Sequence, residues 1–306
     1  MEEKASVFIS GGSGLLAINW AYTIRQKYAV HLNLHERIIN PKGIYVCKSN
    51  MGSFNDLLNQ LEKVNPEAII HTAGLTNVEV CEANPQLAWH VNVELSANVA
   101  KAAKILGIPF VHISTDHLYQ GKHPNINELE ILNPVNVYGD TKVKAEEAVL
   151  QNNEHALIIR TNFYGWGPSY RQSFSDRIIS ALRAKKEIIL FNDVYYTPIL
   201  AEALILSVHE LLEKKAQGIF NVVSDDRISK FDFGITIANE FNLDKSYIKP
   251  GFFRSHSALV HRPADMSLSN NKVRILLGRK IGTVAEHIKR LNNQEMEGIV
   301  KEIKLL

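Results

Sequence analysis

Apolar positions in the first half of the chain alternate between two periods. Val7–Ile9 is a short apolar run ending in Ser10-Gly11-Gly12-Ser13-Gly14, and a helical pattern follows over Leu15–Lys27. Val30–Leu34 reads as a second strand. Over Phe54–Val64, residues Phe54, Leu57, Leu58, Leu61 and Val64 fall at i, i+3 and i+4 spacing, which predicts an amphipathic helix. After Pro66, Ala68–His71 predicts a strand; Trp89–Leu106 predicts a long helix stopped by Gly107 and Pro109. A strand at Phe110–Ser114, a helix at Thr141–Leu150 and a strand at Ala156–Thr161 continue the series. Such alternation predicts an α/β fold built on a Rossmann-type doubly wound parallel sheet, because successive parallel strands need right-handed crossovers.

Beyond about Gly165 the pattern loosens. Helices are expected at Ser173–Ala184, Ala201–Lys214 and Phe231–Phe241, and short strands at Ile188–Phe191 and Ile219–Val223. Lys249–Ser267 reads as a loop-rich wall, and a final helix is expected over much of Ile281–Ile303. No repeat, low-complexity tract or linker divides the chain. The expected organisation is a Rossmann domain over residues 1–165 and a smaller α/β lobe over 166–306, part of which can return to the main sheet.

Composition narrows the class without naming it. The 306 residues are 45% hydrophobic and 22% charged, ordinary for a folded chain. With 34 Lys+Arg against 32 Asp+Glu the formal charge is +2, so a dedicated nucleic-acid partner is not expected. No apolar run approaches the roughly 18–20 residues of a membrane span, and Met1–Ser10 is too weakly apolar for a secretory signal. Cys47 and Cys81 lack metal-type spacing and activating neighbours, so a reducing cytoplasm is the simplest compartment and no redox role is expected.

The glycines after the first strand carry the first chemistry. Gly11, Gly14 and Ala17 form a Gly-x-x-Gly-x-x-Ala turn opening a helix, where backbone N–H groups and the positive dipole end can receive a pyrophosphate. An ordinary strand-to-helix turn would look the same. The end of the second strand normally supplies an acid to the adenosine ribose; here it reads Leu34-His35-Glu36-Arg37. His35 takes that position and Arg37 is near enough to meet a 2′-phosphate, which favours NADPH over NADH. The competing reading gives the ribose to Glu36 and leaves Arg37 solvated.

Tyr138 and Lys142 stand four apart, one helical turn, so they share a face. A phenol titrating near 10 becomes useful at neutral pH only if a neighbouring ammonium lowers its pKa, and Lys142 is placed to do so. Thr115 and Asp116 follow the Phe110–Ser114 strand, where open α/β sheets place reacting groups. Both residues also favour simple turns.

Together, Gly11-x-x-Gly14-x-x-Ala17, Asn92, Ser114-Thr115-Asp116, Tyr138-x-x-x-Lys142 and Arg160-Thr161-Asn162-Phe163-Tyr164-Gly165 resemble the extended short-chain dehydrogenase/reductases. His71–Thr76, His112–Asp116 and Pro134–Gly139 narrow the resemblance to the dTDP-4-dehydrorhamnose reductase family, with Asn192-Asp193, Gly218–Val222 and Arg262-Pro263 as later landmarks. The resemblance implies a two-lobe enzyme reducing the 4-keto group of a nucleotide-linked 6-deoxyhexose with NADPH or NADH. It implies Thr115, Tyr138 and Lys142 as catalytic residues, with Lys142 also on the nicotinamide ribose. Gly14, Leu15 and Leu16 would meet the pyrophosphate, Asn50 and Met51 the adenine, and Gly74, Leu75 and Thr76 the dinucleotide groove. Asp116, Asn162 and Phe163 would face the sugar nucleotide, and Asn92 would support the geometry. His35, Asn50 and Phe163 stand where an acid, an aspartate and a tryptophan are usual. Asn162 is closer to the sugar-nucleotide epimerases and dehydratases, and Val194 and Tyr195 replace a more polar pattern.

Other signals are weaker. The twelve histidines show no ligand spacing, so no catalytic metal is expected. His71, inside a strand, reads as a core residue. Trp166 and Tyr170 suit either wall packing or substrate stacking. Lys185-Lys186 and Lys214-Lys215 complement helix ends. Two further functions stay open: an epimerase or dehydratase that recycles its NAD, and a non-catalytic nucleotide-binding regulatory subunit similar to the methionine adenosyltransferase beta subunit. A homodimer stays open as the assembly.

Overall fold

The computed structural model describes residues 4–253 and 259–306. Strand β1 (Ser6–Ser10) passes through helix α1 (Leu15–Ile24) to β2 (Ala29–Asn33) and the short β3 (Tyr45–Cys47). The chain returns through α2 (Phe54–Val64) to β4 (Ala68–His71) on the other side of β1. Helices α3 (Val78–Ala83), α4 (Pro85–Trp89) and α5 (Leu95–Leu106) lead to β5 (Phe110–Ile113), and α6 (Val137–Asn152) leads to β6 (Leu157–Arg160). Then come β7 (Phe163–Tyr164), α7 (Phe174–Arg183), β8 (Ile188–Phe191), β9 (Tyr195–Tyr196), β10 (Ile199–Leu200) and α8 (Ala201–Glu213), before β11 (Gly218–Asn221). The rest is β12 (Ile228–Ser229), α9 (Lys230–Glu240), β13 (Ile248–Gly251), α10 (Asn271–Leu277), α11 (Val284–Met296) and α12 (Ile299–Lys304).

Seven strands pair in the order β11-β6-β5-β4-β1-β2-β3, all parallel. β11 thus brings the second half of the chain back to the edge of the main sheet. The winding direction reverses between β1 and β4. The loops leaving these two strands therefore diverge to opposite faces and open a crevice at the strand C-termini. Alternation along β1 feeds two cores. Val7 and Ile9 belong to the layer containing Trp20 and Leu204, and Phe8 to the layer containing Leu57, Leu61, Val99 and Val149.

Local chemistry sets several boundaries. Ser53 caps α2 by accepting from the Asp56 N–H, and α5 stops at Gly107 with φ +67°. Ser173 with Asp176, and Thr283 with Glu286, form capping boxes on α7 and α11.

The structure departs from expectation where elements are short or interrupted. The expected Trp89–Leu106 helix starts earlier, at Pro85, and contains a π-turn at His90–Glu94. The expected final helix is broken at Gly298 (φ +85°) between α11 and α12. The α6 helix begins at Val137, ahead of the expected Thr141, because Asn136 caps it by accepting from the Gly139 N–H at 2.8 Å. Strands of two or three residues (β3, β7, β9, β10 and β12) and helix α10 have no counterpart in the hydrophobic pattern. Of the expected wall over Lys249–Ser267, Lys249–Gly251 pairs with β8 as part of β13, and residues 254–258 lie outside the described residues. No helix among the described residues is long and apolar enough to cross a membrane.

Candidate active site

A cleft of about 480 Å³ lies along the C-terminal ends of the central strands. Its floor begins at Gly11, whose φ of +71° suits glycine and whose added Cβ would lie 2.8 Å from the Ala73 backbone. Gly14 is the N-cap of α1 and offers no side-chain cap, so the first N–H groups of the helix are free for a ligand. Gly11, Gly14, Leu15 and Leu16 line the cleft on this side, with His35, Asn50 and Met51 at the β2 end. Gly74 and Thr76 line the wall after β4, and Tyr138, Lys142 and Phe163 line the far end.

The other expected residues stand outside the cleft lining. Leu75 is held through its backbone: its N–H donates to Asn92 Oδ1 at 2.7 Å and its carbonyl accepts from Asn92 Nδ2 at 3.1 Å. Asn92 also donates to Thr141 Oγ1 at 3.0 Å, tying the β4 loop to α6. The π-turn holds this asparagine, consistent with the tendency of such bulges to occur at functional positions. Arg37 lines a neighbouring open groove with Ser13 and His35. Its guanidinium lies 4.0 Å above the Tyr170 ring, and the Tyr170 hydroxyl donates to the Ser13 carbonyl at 3.0 Å. Arg37 is therefore steadied against the glycine loop by a residue from the second half of the chain. Asn50 accepts from the Gly52 N–H at 3.0 Å, so its side chain also shapes its own turn.

Tyr138 approaches the loop after β5 because Gly139 leaves no side chain between them. A Cβ on Gly139 would stand closer than 3.0 Å to the His117 carbonyl oxygen and 2.9 Å from Pro134 Cβ. The Tyr138 ring meets His117 edge-on, with centroids 5.5 Å apart. Burial pushes the Tyr138 phenol well above its ordinary value, while a hydrogen bond with Thr115 works the other way.

Lys142 is buried. Its Nζ donates to the Ile113 carbonyl at 2.8 Å and lies 3.2 Å from His112 Nε2. Burial pulls the lysine down to about 8, against the pull of Glu146. Lys142 was expected to lower the Tyr138 pKa; here its ammonium is anchored at the end of β5 and burial is the largest influence on the phenol.

Thr115 and Asp116 are buried beside Tyr138. The Asp116 carboxylate accepts from Asn162 Nδ2 at 2.6 Å and from the Thr115 hydroxyl at 3.3 Å. Burial nevertheless raises Asp116 to about 6. Thr115, Asp116 and Asn162 thus form one polar cluster behind the cleft's far end.

The sequence pattern missed several participants. His112 holds the Lys142 ammonium and stacks on His71 at 5.6 Å; His71 in turn contacts Ser10 Oγ at 2.7 Å and Ser96 Oγ at 3.0 Å. Arg171 lines the cleft and reaches Thr76 Oγ1 at 3.4 Å. No local signal marks either contact, since each joins distant segments. Among the described residues, no group of three or more His, Cys, Asp or Glu could hold a metal ion.

The cleft suits a dinucleotide. The backbone cradle at Gly11, the uncapped α1 N-terminus and the length of the groove fit a pyrophosphate with a ribose at each end. Similar proteins share this architecture. A hypothetical dTDP-4-dehydrorhamnose reductase from Sulfolobus tokodaii superposes with a TM-score of 0.79 at 30% identity, covering 91% of this chain and 97% of that one. The Bacillus anthracis dTDP-4-dehydrorhamnose reductase, solved with NADP, has the same fold, with a TM-score of 0.83, 23% identity and coverage of 95% and 99%. The probable low-salt glycan biosynthesis reductase Agl14 of Haloferax volcanii is 28% identical over 93% of this chain and 96% of its own. Methionine adenosyltransferase 2 subunit beta of Bos taurus is 28% identical over 80% of this chain and 74% of its own. Residues 5–296 match the RmlD substrate binding domain, and the chain belongs to that family, within the extended short-chain dehydrogenase/reductases.

Proposed function

We propose that this chain reduces the 4-keto group of a nucleotide-linked deoxysugar, with NADPH as the preferred reductant and NADH as the alternative. The observation that carries the reading is the convergence of Thr115, Tyr138 and Lys142 at the far end of the glycine-floored cleft. When bound, the reduced nicotinamide supplies hydride. The residues would hold the dinucleotide by the Gly11–Leu16 backbone, by His35 and Arg37 at the adenosine ribose, by Asn50 and Met51 near the adenine, and by Gly74–Thr76 along the wall.

Thr115 and Tyr138 hydrogen-bond the ketone oxygen, and Tyr138 delivers its proton as charge builds there. Burial keeps the phenol protonated until charge builds on the ketone oxygen, and the hydrogen bond with Thr115 offsets part of the acidity that burial removes. Lys142, anchored by Ile113 and His112, presents a cation under the reacting centre and a donor to the ribose. Asp116, Asn162 and Phe163 face the sugar. Most of the acceleration then comes from alignment in a desolvated groove. In this reading residues 1–165 hold the cofactor, residues 166–306 select the sugar nucleotide, and the reaction is cytoplasmic.

The test is NADPH oxidation with a panel of nucleotide-linked 4-keto-6-deoxyhexoses. Tyr138→Phe should lower kcat by roughly 10²–10⁴-fold while NADP⁺ binding persists. Near-full activity of that variant would remove Tyr138 from the mechanism. The similarity to methionine adenosyltransferase beta subunits favours a second reading, a nucleotide-binding regulatory subunit. A partner that co-purifies with the chain, with no ketone reduced, would select it. Tight retention of NAD through purification would instead select an epimerase or dehydratase.

A further inference from the structure

Lys230 is the first residue of α9, and its surroundings are unusual for a lysine. Its Nζ lies 4.7 Å from the Phe174 ring centroid and 4.6 Å from that of Tyr196. Among the described residues its ammonium makes no hydrogen bond and no salt bridge, and its contacts are with the two ring faces. The backbone around it is fixed: its N–H donates to the Val194 carbonyl at 3.0 Å, and the preceding Ile228–Ser229 pairs with Tyr195–Tyr196. A half-buried cation at the positive end of a helix, without a hydrogen-bond acceptor, is unfavourable on each count. The arrangement is electrostatically incomplete.

The side chain is within electrostatic reach of the reacting end of the site. Asp116 is its principal charge partner, and Lys230 also acts on His117, whose Nε2 lies 3.9 Å from Asp116 Oδ1 and whose ring meets Tyr138. Burial draws Lys230 down to about 8 and Asp116 up to about 6, and on each group it outweighs their mutual attraction, which works the other way. Two more buried polar atoms nearby have no partner, the Tyr196 hydroxyl and His117 Nδ1. These donors and the Asp116 carboxylate are groups of the kind that recognise a ligand rich in hydroxyl groups.

We infer that Lys230 is a specificity-determining residue that donates to a ring hydroxyl of the sugar next to the reacting carbonyl, with Asp116 accepting from the other side. The inference rests on the proposed reduction of a nucleotide-linked ketosugar and names the residue that selects the sugar. It places sugar recognition on a side chain of α9, far in sequence from Thr115 and Tyr138. Arg177 and Arg262, which also act on Lys230, add positive charge around the same region. Arg262 is already paired with Glu79.

The experiment compares wild type, Lys230→Met and Lys230→Arg. KM and kcat are measured for NADPH-dependent reduction of dTDP- and UDP-linked 4-keto-6-deoxyhexoses, and Kd for NADP⁺, dTDP and UDP by calorimetry. Lys230→Met keeps an apolar stem between the two rings and should raise KM roughly 10- to 100-fold, the range of a charge-assisted hydrogen bond. Its Kd values for NADP⁺ and the free nucleotides should be unchanged. Lys230→Arg should fall between the two, and carries the test if the methionine variant does not fold. An analogue lacking the hydroxyl beside the ketone should bind wild type and variant alike, as a matched pair requires. Unchanged KM in both variants overturns the inference. A parallel loss of dTDP or UDP binding also overturns it, by moving Lys230 to the phosphates. Wild type that binds NADPH yet reduces none of the sugars refutes the proposed function itself, an outcome distinct from variants that match an active wild type.

Discussion

Replacing Gly139 by alanine should separate catalysis from cofactor binding. In a helix interior this exchange ordinarily stabilises by about 0.5–1 kcal/mol, because alanine loses less backbone freedom. Here the added Cβ would enter a space already held by the His117 carbonyl and Pro134 Cβ, both inside 3.0 Å, whereas ordinary contact begins near 3.4 Å. The His117 carbonyl belongs to the backbone and cannot swing away as a long side chain would. Relief requires the first turn of α6 to retreat from the β5 loop by a sizeable fraction of an ångström. Overpacking of this kind costs roughly 1–3 kcal/mol, so the propensity gain should be cancelled or exceeded. The larger effect is on Tyr138, the preceding residue, which would withdraw from Thr115. A misplacement of about 1 Å can cost on the order of 10² in rate. The Gly11–Leu16 floor lies on β1 and α1, so NADP⁺ affinity should hold. The assay is kcat for ketosugar reduction, calorimetric Kd for NADP⁺, and thermal unfolding. A variant with wild-type kcat and a higher Tm would show that the helix has room, and would refute the claim that this close approach sets the Tyr138–Thr115 geometry.

Arg37→Ala should weaken NADPH by about 10- to 100-fold and spare NADH if the guanidinium meets a 2′-phosphate; equal losses in direct titrations would make its stacking on Tyr170 purely structural. Glu146 is buried, accepting from Ser114 Oγ at 2.5 Å and Arg160 Nη2 at 2.7 Å, so Glu146→Gln should destabilise by about 3–5 kcal/mol in denaturant titrations. A loss below about 1 kcal/mol would mean the Arg160 charge is not held by this pair. His71 and His117 are held neutral by burial, down to about 3, and His209 to about 4. Their contribution to stability is complete above pH 6.5 and is lost as pH falls toward those values, at about 1.4 kcal/mol per pH unit for each proton. Asp116, raised to about 6, acts with the opposite sign and favours the fold as pH falls from about 6 toward 4. Three histidines outweigh one carboxyl, so Tm should drop between pH 7 and 5; a flat or rising profile would contradict the burial of these rings.

Local chemistry was legible in the sequence because it is written within a few residues. The Phe54–Val64 helix and the Ala68–His71 and Ile188–Phe191 strands have the boundaries their apolar spacing predicts. Gly11 and Gly14 announce a turn against a helix N-terminus, and one turn of helix puts Tyr138 and Lys142 on one face. The parallel sheet follows from strand–helix alternation, and β11 was readable as a strand although its place at the sheet edge was not. Periodicity reports only which face of an element is apolar, so partners from distant segments leave no trace in it. The Ile113 carbonyl under Lys142, Tyr170 under Arg37 and the electrostatic coupling of Lys230 to Asp116 are of that kind. Two-residue strands such as β9 and β12 complete no period and form because the surrounding fold brings their backbones together. The protonation preferences of Tyr138, Lys142 and Asp116 belong to the same class. Each departs from its ordinary value chiefly through burial, and burial exists only once the sheet, α6 and α9 have closed around the site.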